Sequence, residues 1–317
     1  MNKLKNVVFG LVISVATLAV FITGVVGLDL YLHKKFDTIA GLNYRGYRGK
    51  VLGKKKAGEI RVGFFGGSAA MGYGLANEES ISGYLQSYLP NSGRDKRFTV
   101  INLASTGETG CSNFKAAYSL FEYLEPDILV FYFNGDFIVA GMPSYYDQEY
   151  TCWRYNDPVL KNFRYYFIFP LALTEKYYLF RYGDISRGYQ EDKSFLTQLR
   201  NRRLLDKEDA SLKVGSKRAG EREKLKDFVQ GLTGKNKIII FVLEPLSRGK
   251  KAEAAYRKAY LRSSFSDNPS VRIIDLEDIF SEKKFSSYFY DGEHYNKEGN
   301  SLIAKELAKE LSTIKID

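Results

Sequence analysis

His294 stands in the polar stretch Tyr290-Asp291-Gly292-Glu293-His294-Tyr295-Asn296, just ahead of a helix-patterned segment from Lys297 to Leu311. The chain has two histidines, and the other, His33, flanks a long uncharged run near the N-terminus. A carboxylate three residues before a histidine in a turn can accept a hydrogen bond from one imidazole nitrogen and leave the other free as a base. Asp291 and His294 have that spacing. A serine hydroxyl becomes a nucleophile when such a base takes its proton during attack. Ser68 follows Gly66-Gly67, where glycines permit the tight geometry of a strand-to-helix turn. The negative charge of a tetrahedral intermediate needs preorganised donors. The backbone N–H groups of Ser68 and Gly107, with the side-chain amide of Asn134, are of the right type. The chemistry these residues could perform together is acyl transfer from an ester.

Such side chains must be carried by rigid elements, and the pattern supplies them. Ile60–Phe65, Phe98–Leu103, Asp127–Phe133, Lys237–Leu243 and Val271–Asp275 are rich in β-branched, aliphatic and aromatic residues and read as five strands. Asp127–Phe133 is almost continuously apolar, as expected for a strand buried on both faces. Helical patterns lie between them, through Ile81, Leu85 and Leu89, around Ala116–Leu124, over Glu221–Leu232 and Ala252–Arg262, and after His294. Alternating strands and helices predict a parallel sheet covered on both sides, with its chemistry beyond the carboxyl ends of the strands. Ser68, Gly107, Asn134 and the Asp291–His294 loop all fall at such ends or loops.

Each of these pieces alone is compatible with an ordinary turn: Gly-Gly-Ser, Asn134-Gly135 and a helix-entry Asp-x-x-His occur for purely structural reasons. Their joint order resembles the SGNH/GDSL hydrolase family across most of Glu59–Leu311. Phe64-Phe65-Gly66-Gly67-Ser68 is similar to the first block and implies Ser68 as nucleophile. Asn102 through Gly107 resembles the second and implies Gly107 as an oxyanion donor. Phe133-Asn134-Gly135-Asp136 resembles the third and implies Asn134 as the other donor. Asp291-Gly292-Glu293-His294 resembles the last and implies the orienting acid and the base. Two departures stand out: Gly67 replaces the Asp of many members, and the third block lacks its leading glycine, with Gly135 separating Asn134 from Asp136. The resemblance implies a three-layer α/β/α fold with a five-stranded parallel sheet, and no metal or organic cofactor.

Around this domain the composition changes. Asn6–Leu28 holds 23 residues without a charge, behind Lys3 and Lys5. That length crosses a hydrocarbon core of about 30 Å at about 1.5 Å per residue. The h-region of a cleaved signal is shorter, and no small-x-small site follows clearly, so residues 1–29 read as a signal anchor. Lys3 and Lys5 then stay in the cytoplasm and the catalytic part lies outside it. Residues 30–58, with Lys54-Lys55-Lys56, read as a juxtamembrane connector resting on anionic headgroups. The domain occupies 59–317, interrupted by an insertion at about 137–235 that is first aromatic and then basic. Its aromatic residues read as packing, with lying against the membrane surface as a second role.

A formal charge of +10 suits an acidic neighbour such as anionic lipid or an anionic polymer. No zinc-finger spacing or RNP-like motif accompanies it, so nucleic acid is not expected as a partner. Cys111 and Cys152 are too far apart, with too few histidines, for a metal site, and fit either a disulfide or two buried thiols. By resemblance, the expected activity is a serine esterase removing O-acyl, above all O-acetyl, groups from a cell-surface or exported carbohydrate. Alternatives built on the same residues are an O-acyltransferase acting on a glycan and a lysophospholipase. A non-catalytic binding scaffold is the alternative that the altered third block favours. Oligomeric state has no sequence signal.

Overall fold

The computed structural model describes residues 2–35, 43, 45, 47–89, 97–105, 117, 121–133, 168–183, 218–245, 251–280, 285–290 and 294–314. Five strands form one parallel sheet in the order β2-β1-β3-β4-β5: β1 Glu59–Gly66, β2 Arg97–Asn102, β3 Ile128–Phe133, β4 Ile238–Leu243 and β5 Val271–Asp275. These are the five strands expected from the apolar runs, with ends shifted by a residue or so. The helices are α1 Asn2–Lys35, α2 Ser68–Met71, α3 Ile81–Tyr88, α4 Ile168–Tyr182, α5 Arg218–Thr233, α6 Lys251–Phe265 and α7 Lys297–Ser312.

The period of two along each strand divides the core into halves. Val62, Phe64, Ile128, Val130, Tyr132, Ile240 and Val242 pack on one face against α3 and the apolar side of α7, Ile303, Leu307 and Leu311. Phe65, Leu129, Phe131, Ile239 and Phe241 pack on the other against Leu225, Phe228, Val229 and Leu232 of α5 and Leu261 and Phe265 of α6. Helices therefore cover both faces, which is the three-layer α/β/α arrangement and explains why the central strands carry no alternation of polar residues. Pairing Gly66 with Tyr132 and Phe133 with Leu243 brings the carboxyl ends of β1, β3 and β4 together at one edge of the sheet.

Upstream of β1 the chain is already attached to this body. The sequence places the globular boundary at Glu59, yet Tyr47 and Arg48 are buried, and Tyr47 joins the core on the α5–α6 face. The Arg48 N–H donates to the Asn102 carbonyl at 2.9 Å. Its guanidinium reaches the carbonyl oxygens of Met71 and Gly72 at 2.7 and 2.8 Å, and also that of Leu75. A second buried arginine, Arg61 on β1, binds Glu59, the Leu124 carbonyl and the Gly53 carbonyl. Burial works to raise the Glu59 carboxyl, but hydrogen bonds from Arg61 and from the Lys56 N–H outweigh it and hold the group at about 2.

α1 includes a 25-residue segment, Lys5–Asp29, long and apolar enough to cross a membrane. Val7, Phe9, Leu11, Val20 and Phe21 are among its outward-facing side chains. α1 packs against α4.

Candidate active site

The turn after β1 is built from glycine because nothing larger fits. A Cβ on Gly66 would lie 2.4 Å from the Tyr132 carbonyl oxygen and 2.5 Å from the Ala70 Cβ. Gly67, with φ −85° and ψ −157°, turns the chain from strand into helix, so Ser68 is the first residue of the single-turn α2. The helix stops at Gly72, which adopts φ +75°, and the Tyr73 N–H donates back to the Ser68 carbonyl at 3.0 Å. Asn102, at the end of β2, steadies this turn by donating to the Met71 carbonyl at 3.2 Å, while Arg48 clamps the same carbonyl from the other side. The turn that carries Ser68 is thereby braced from β2 and from Arg48.

His294 arrives there from the far end of the chain. Phe289 and Tyr295 form an antiparallel bridge, the Tyr290 N–H donates to the His294 carbonyl at 3.0 Å, and the Asn296 N–H donates to the Tyr288 carbonyl at 2.9 Å. Asn296 caps α7 through the Gly299 N–H and donates to the Ser287 carbonyl. Beneath the loop, the Tyr132 hydroxyl donates to that of Tyr295 at 3.1 Å, and Tyr295 is hydrogen-bonded to Glu244 just past β4. Burial above all pushes both phenols well up, helped at Tyr295 next by the Glu244 carboxylate and at Tyr132 by Tyr295 and then Glu244. The residue next to His294 is thus anchored to the ends of two strands.

The outcome is one contact: His294 Nε2 lies 2.8 Å from the Ser68 hydroxyl oxygen. With the ring proton on Nδ1, that hydroxyl donates to Nε2, the arrangement a general base needs before attack. His294 is 7 % exposed, and two tyrosine rings flank its imidazole: Tyr73 at 5.0 Å between centroids and Tyr290 stacked at 5.8 Å. The Tyr290 hydroxyl donates to the Tyr73 carbonyl. A five-stranded parallel sheet between helices, with Ser68 and His294 meeting at its carboxyl edge, is the arrangement that the SGNH/GDSL resemblance implies.

Of the residues the SGNH resemblance singles out, Ser68 and His294 are brought together, whereas Gly107, Asn134 and Asp291 lie outside the described residues, as do Cys111 and Cys152. Asn134 directly follows β3, whose end pairs with the end of β1. Sequence reasoning missed Tyr73, Tyr290, Glu244 and Arg48. Tyr290 is visible beside the Asp-x-x-His stretch, but nothing local in the sequence links Arg48 or Glu244 to it. Among the described residues no three His, Cys, Asp or Glu side chains converge as a metal site.

No protein-family model matches the chain, and no curated protein matches it. Solved structures similar to it include a lipolytic protein of the G-D-S-L family from Desulfitobacterium hafniense, described as putative, at 12% identity, covering 79% of this chain and 98% of that one with a TM-score of 0.40. A family 3 carbohydrate esterase from Clostridium thermocellum is 12% identical, with 79% and 94% of the two chains covered and a TM-score of 0.43. An acetylxylan esterase from Geobacillus stearothermophilus is 11% identical, with 81% and 96% covered and a TM-score of 0.42.

Proposed function

We propose that this chain is a membrane-anchored serine esterase that removes O-acyl groups, O-acetyl above all, from a cell-surface or exported carbohydrate. The observation that carries the esterase reading is the 2.8 Å contact between His294 Nε2 and the Ser68 hydroxyl, made by residues 226 positions apart. A buried imidazole beside an otherwise unremarkable serine has no packing role that an apolar pair would not fill better.

In this reading the Ser68 oxygen attacks the ester carbonyl while His294 Nε2 takes its proton, and a tetrahedral oxyanion forms. The C–O bond to the leaving alcohol breaks as His294 returns the proton to that alcohol. Water then attacks the acyl-enzyme, again losing a proton to Nε2, and releases the acid and free Ser68. Asp291 holds the imidazole tautomer and stabilises its charged form. The N–H groups of Ser68 and Gly107 and the Asn134 amide receive the oxyanion. The apolar Lys5–Asp29 segment supports an anchor, and Lys3 and Lys5 before it support an extracytoplasmic catalytic domain. The net charge of +10 supports an anionic polymer as the acylated carbohydrate.

The test is turnover of p-nitrophenyl acetate and acetate release from O-acetylated polysaccharides by the full chain in detergent, beside Ser68→Ala. Loss of activity by a factor of about 10³ or more in the variant, with fluorophosphonate labelling lost at the same time, is expected. Equal background signals and no labelling of the parent protein would sink the proposal.

A further inference from the structure

α4 has two faces that differ sharply in what they meet. Leu173, Tyr177 and Phe180, spaced four and three residues apart, form one stripe. They are 53, 53 and 90 % exposed. Tyr178, about 200° around the helix from Phe180, is 3 % exposed and packs with Tyr290, with Tyr73 and Tyr182 against the pair. Tyr73 and Tyr290 are the two rings beside His294. One face of α4 therefore belongs to the wall of the Ser68–His294 site, and the other presents three large apolar groups outward.

What covers the outward face follows from where α4 sits. It packs on α1, the helix apolar enough to cross a membrane. The exposure of α1 falls at Val25 and again at Asp29, one turn later, toward the C-terminal end of the apolar segment, and is high at Val7 through Ile22. Asp29, the last residue of the apolar segment, is thus buried in protein. The α4 stripe lies on a helix in contact with that apolar helix, carries aromatic groups suited to the headgroup boundary, and is flanked by the exposed cations Lys176 and Arg181.

We infer that α4 is a second membrane-contact element: Leu173, Tyr177 and Phe180 enter the interface of an anionic bilayer while Tyr178 holds the active-site wall. This rests on the reading of α1 as a membrane span. It sets the mouth of the site at the lipid surface, so the acyl group accepted is one presented close to the membrane.

The experiment uses the full chain in nanodiscs of phosphatidylcholine and phosphatidylglycerol, with Trp153→Phe removing the native tryptophan. Single reporters are placed by Phe180→Trp, by Phe21→Trp on α1 and by Lys305→Trp on the exposed side of α7. Phe180 and Lys305 are surface positions, so these replacements leave the core untouched. Brominated lipid is expected to quench the reporters at 180 and 21 and to leave the one at 305 bright, with a blue-shifted emission at 180. A bright reporter at 180 beside a quenched one at 21 overturns the inference, and a blue shift there without quenching assigns the stripe to a protein partner or a second copy. Bright reporters at both 180 and 21 overturn the spanning reading of α1 itself, and the inference with it. None of these outcomes depends on esterase activity.

Discussion

The Tyr290 hydroxyl donates to the main-chain carbonyl of Tyr73 at 2.5 Å, so the two residues whose rings contact His294 hold one another in place. Tyr73 follows the Ser68 helix and Tyr290 precedes the histidine loop, and the bond therefore locks the Ser68 segment to the His294 segment. Tyr290→Phe keeps the ring and removes the lock. Its expected cost is about 1 kcal/mol of stability, with a fall in kcat of about tenfold and little change in KM. Steady-state kinetics beside a denaturant melt check it, and an unchanged kcat would show that the lock does not position the base.

Gly66→Ala tests the floor of the turn. The new methyl group would fall 2.4 Å from a β3 carbonyl oxygen and 2.5 Å from Ala70, and neither backbone nor helix can retreat cheaply. Destabilisation of about 3 kcal/mol is expected, with fluorophosphonate labelling of Ser68 lost even in the fraction that stays folded. Full labelling at wild-type rate would contradict the packing described.

Arg48→Met removes the buried guanidinium that the carbonyl oxygens of Met71, Gly72 and Leu75 share, leaving Met71 with Asn102 and Gly72 with the Leu75 N–H. A loss of roughly 3 kcal/mol or more is expected. It should appear also in a chain shortened to begin after residue 53, because the clamp lies upstream of β1. A shortened chain as stable as the parent would argue against a structural role for residues 43–53.

Stability toward acid should report on Glu59. Its folded carboxyl is held at about 2, below the value of 4.5 from which it starts. The unfolded state therefore binds more protons between these values, and stability falls as pH drops from about 4.5 to about 2. Glu59→Gln should be less stable at neutral pH and lose part of that slope, as measured by unfolding midpoints across the range. An identical slope in the variant would assign the effect to other carboxylates.

The roles proposed for Asn134 and Asp291 separate kinetically. Asn134→Ala should lower kcat by about 10²–10³ with KM nearly constant, since an oxyanion donor acts on the transition state. Asp291→Asn should lower kcat as well, and raising the pH should not restore it if the loss lies in the tautomer. Unaltered kinetics in either variant would remove that residue from the mechanism.

The sheet was legible because its strands are buried on both faces. Runs such as Ile128–Phe133 and Ile238–Leu243 have no other reading that fits their length. The Ser68–His294 pair was legible because glycines and a short polar loop mark the ends of elements, where a parallel sheet gathers its chemistry. Arg48 was not, since a guanidinium that caps carbonyls 23 to 27 residues away leaves no periodic trace in a stretch otherwise rich in Lys and Gly. The aromatic insertion was legible only as composition. Its tyrosines read as packing, with membrane contact as a second role, and α4 buries Tyr178 while turning Tyr177 and Phe180 away from the core.

The 226-residue separation of Ser68 and His294 also has a consequence during biosynthesis. At the usual elongation rate of about 5–20 residues per second, roughly 11–45 s pass between the appearance of one and the other. β1, β2 and β3 can pair in that interval, but the serine has no base until the loop ahead of α7 emerges and docks on Tyr132. In the mechanism proposed above, Ser68 would therefore have no base on the nascent chain until the segment bearing His294 had docked.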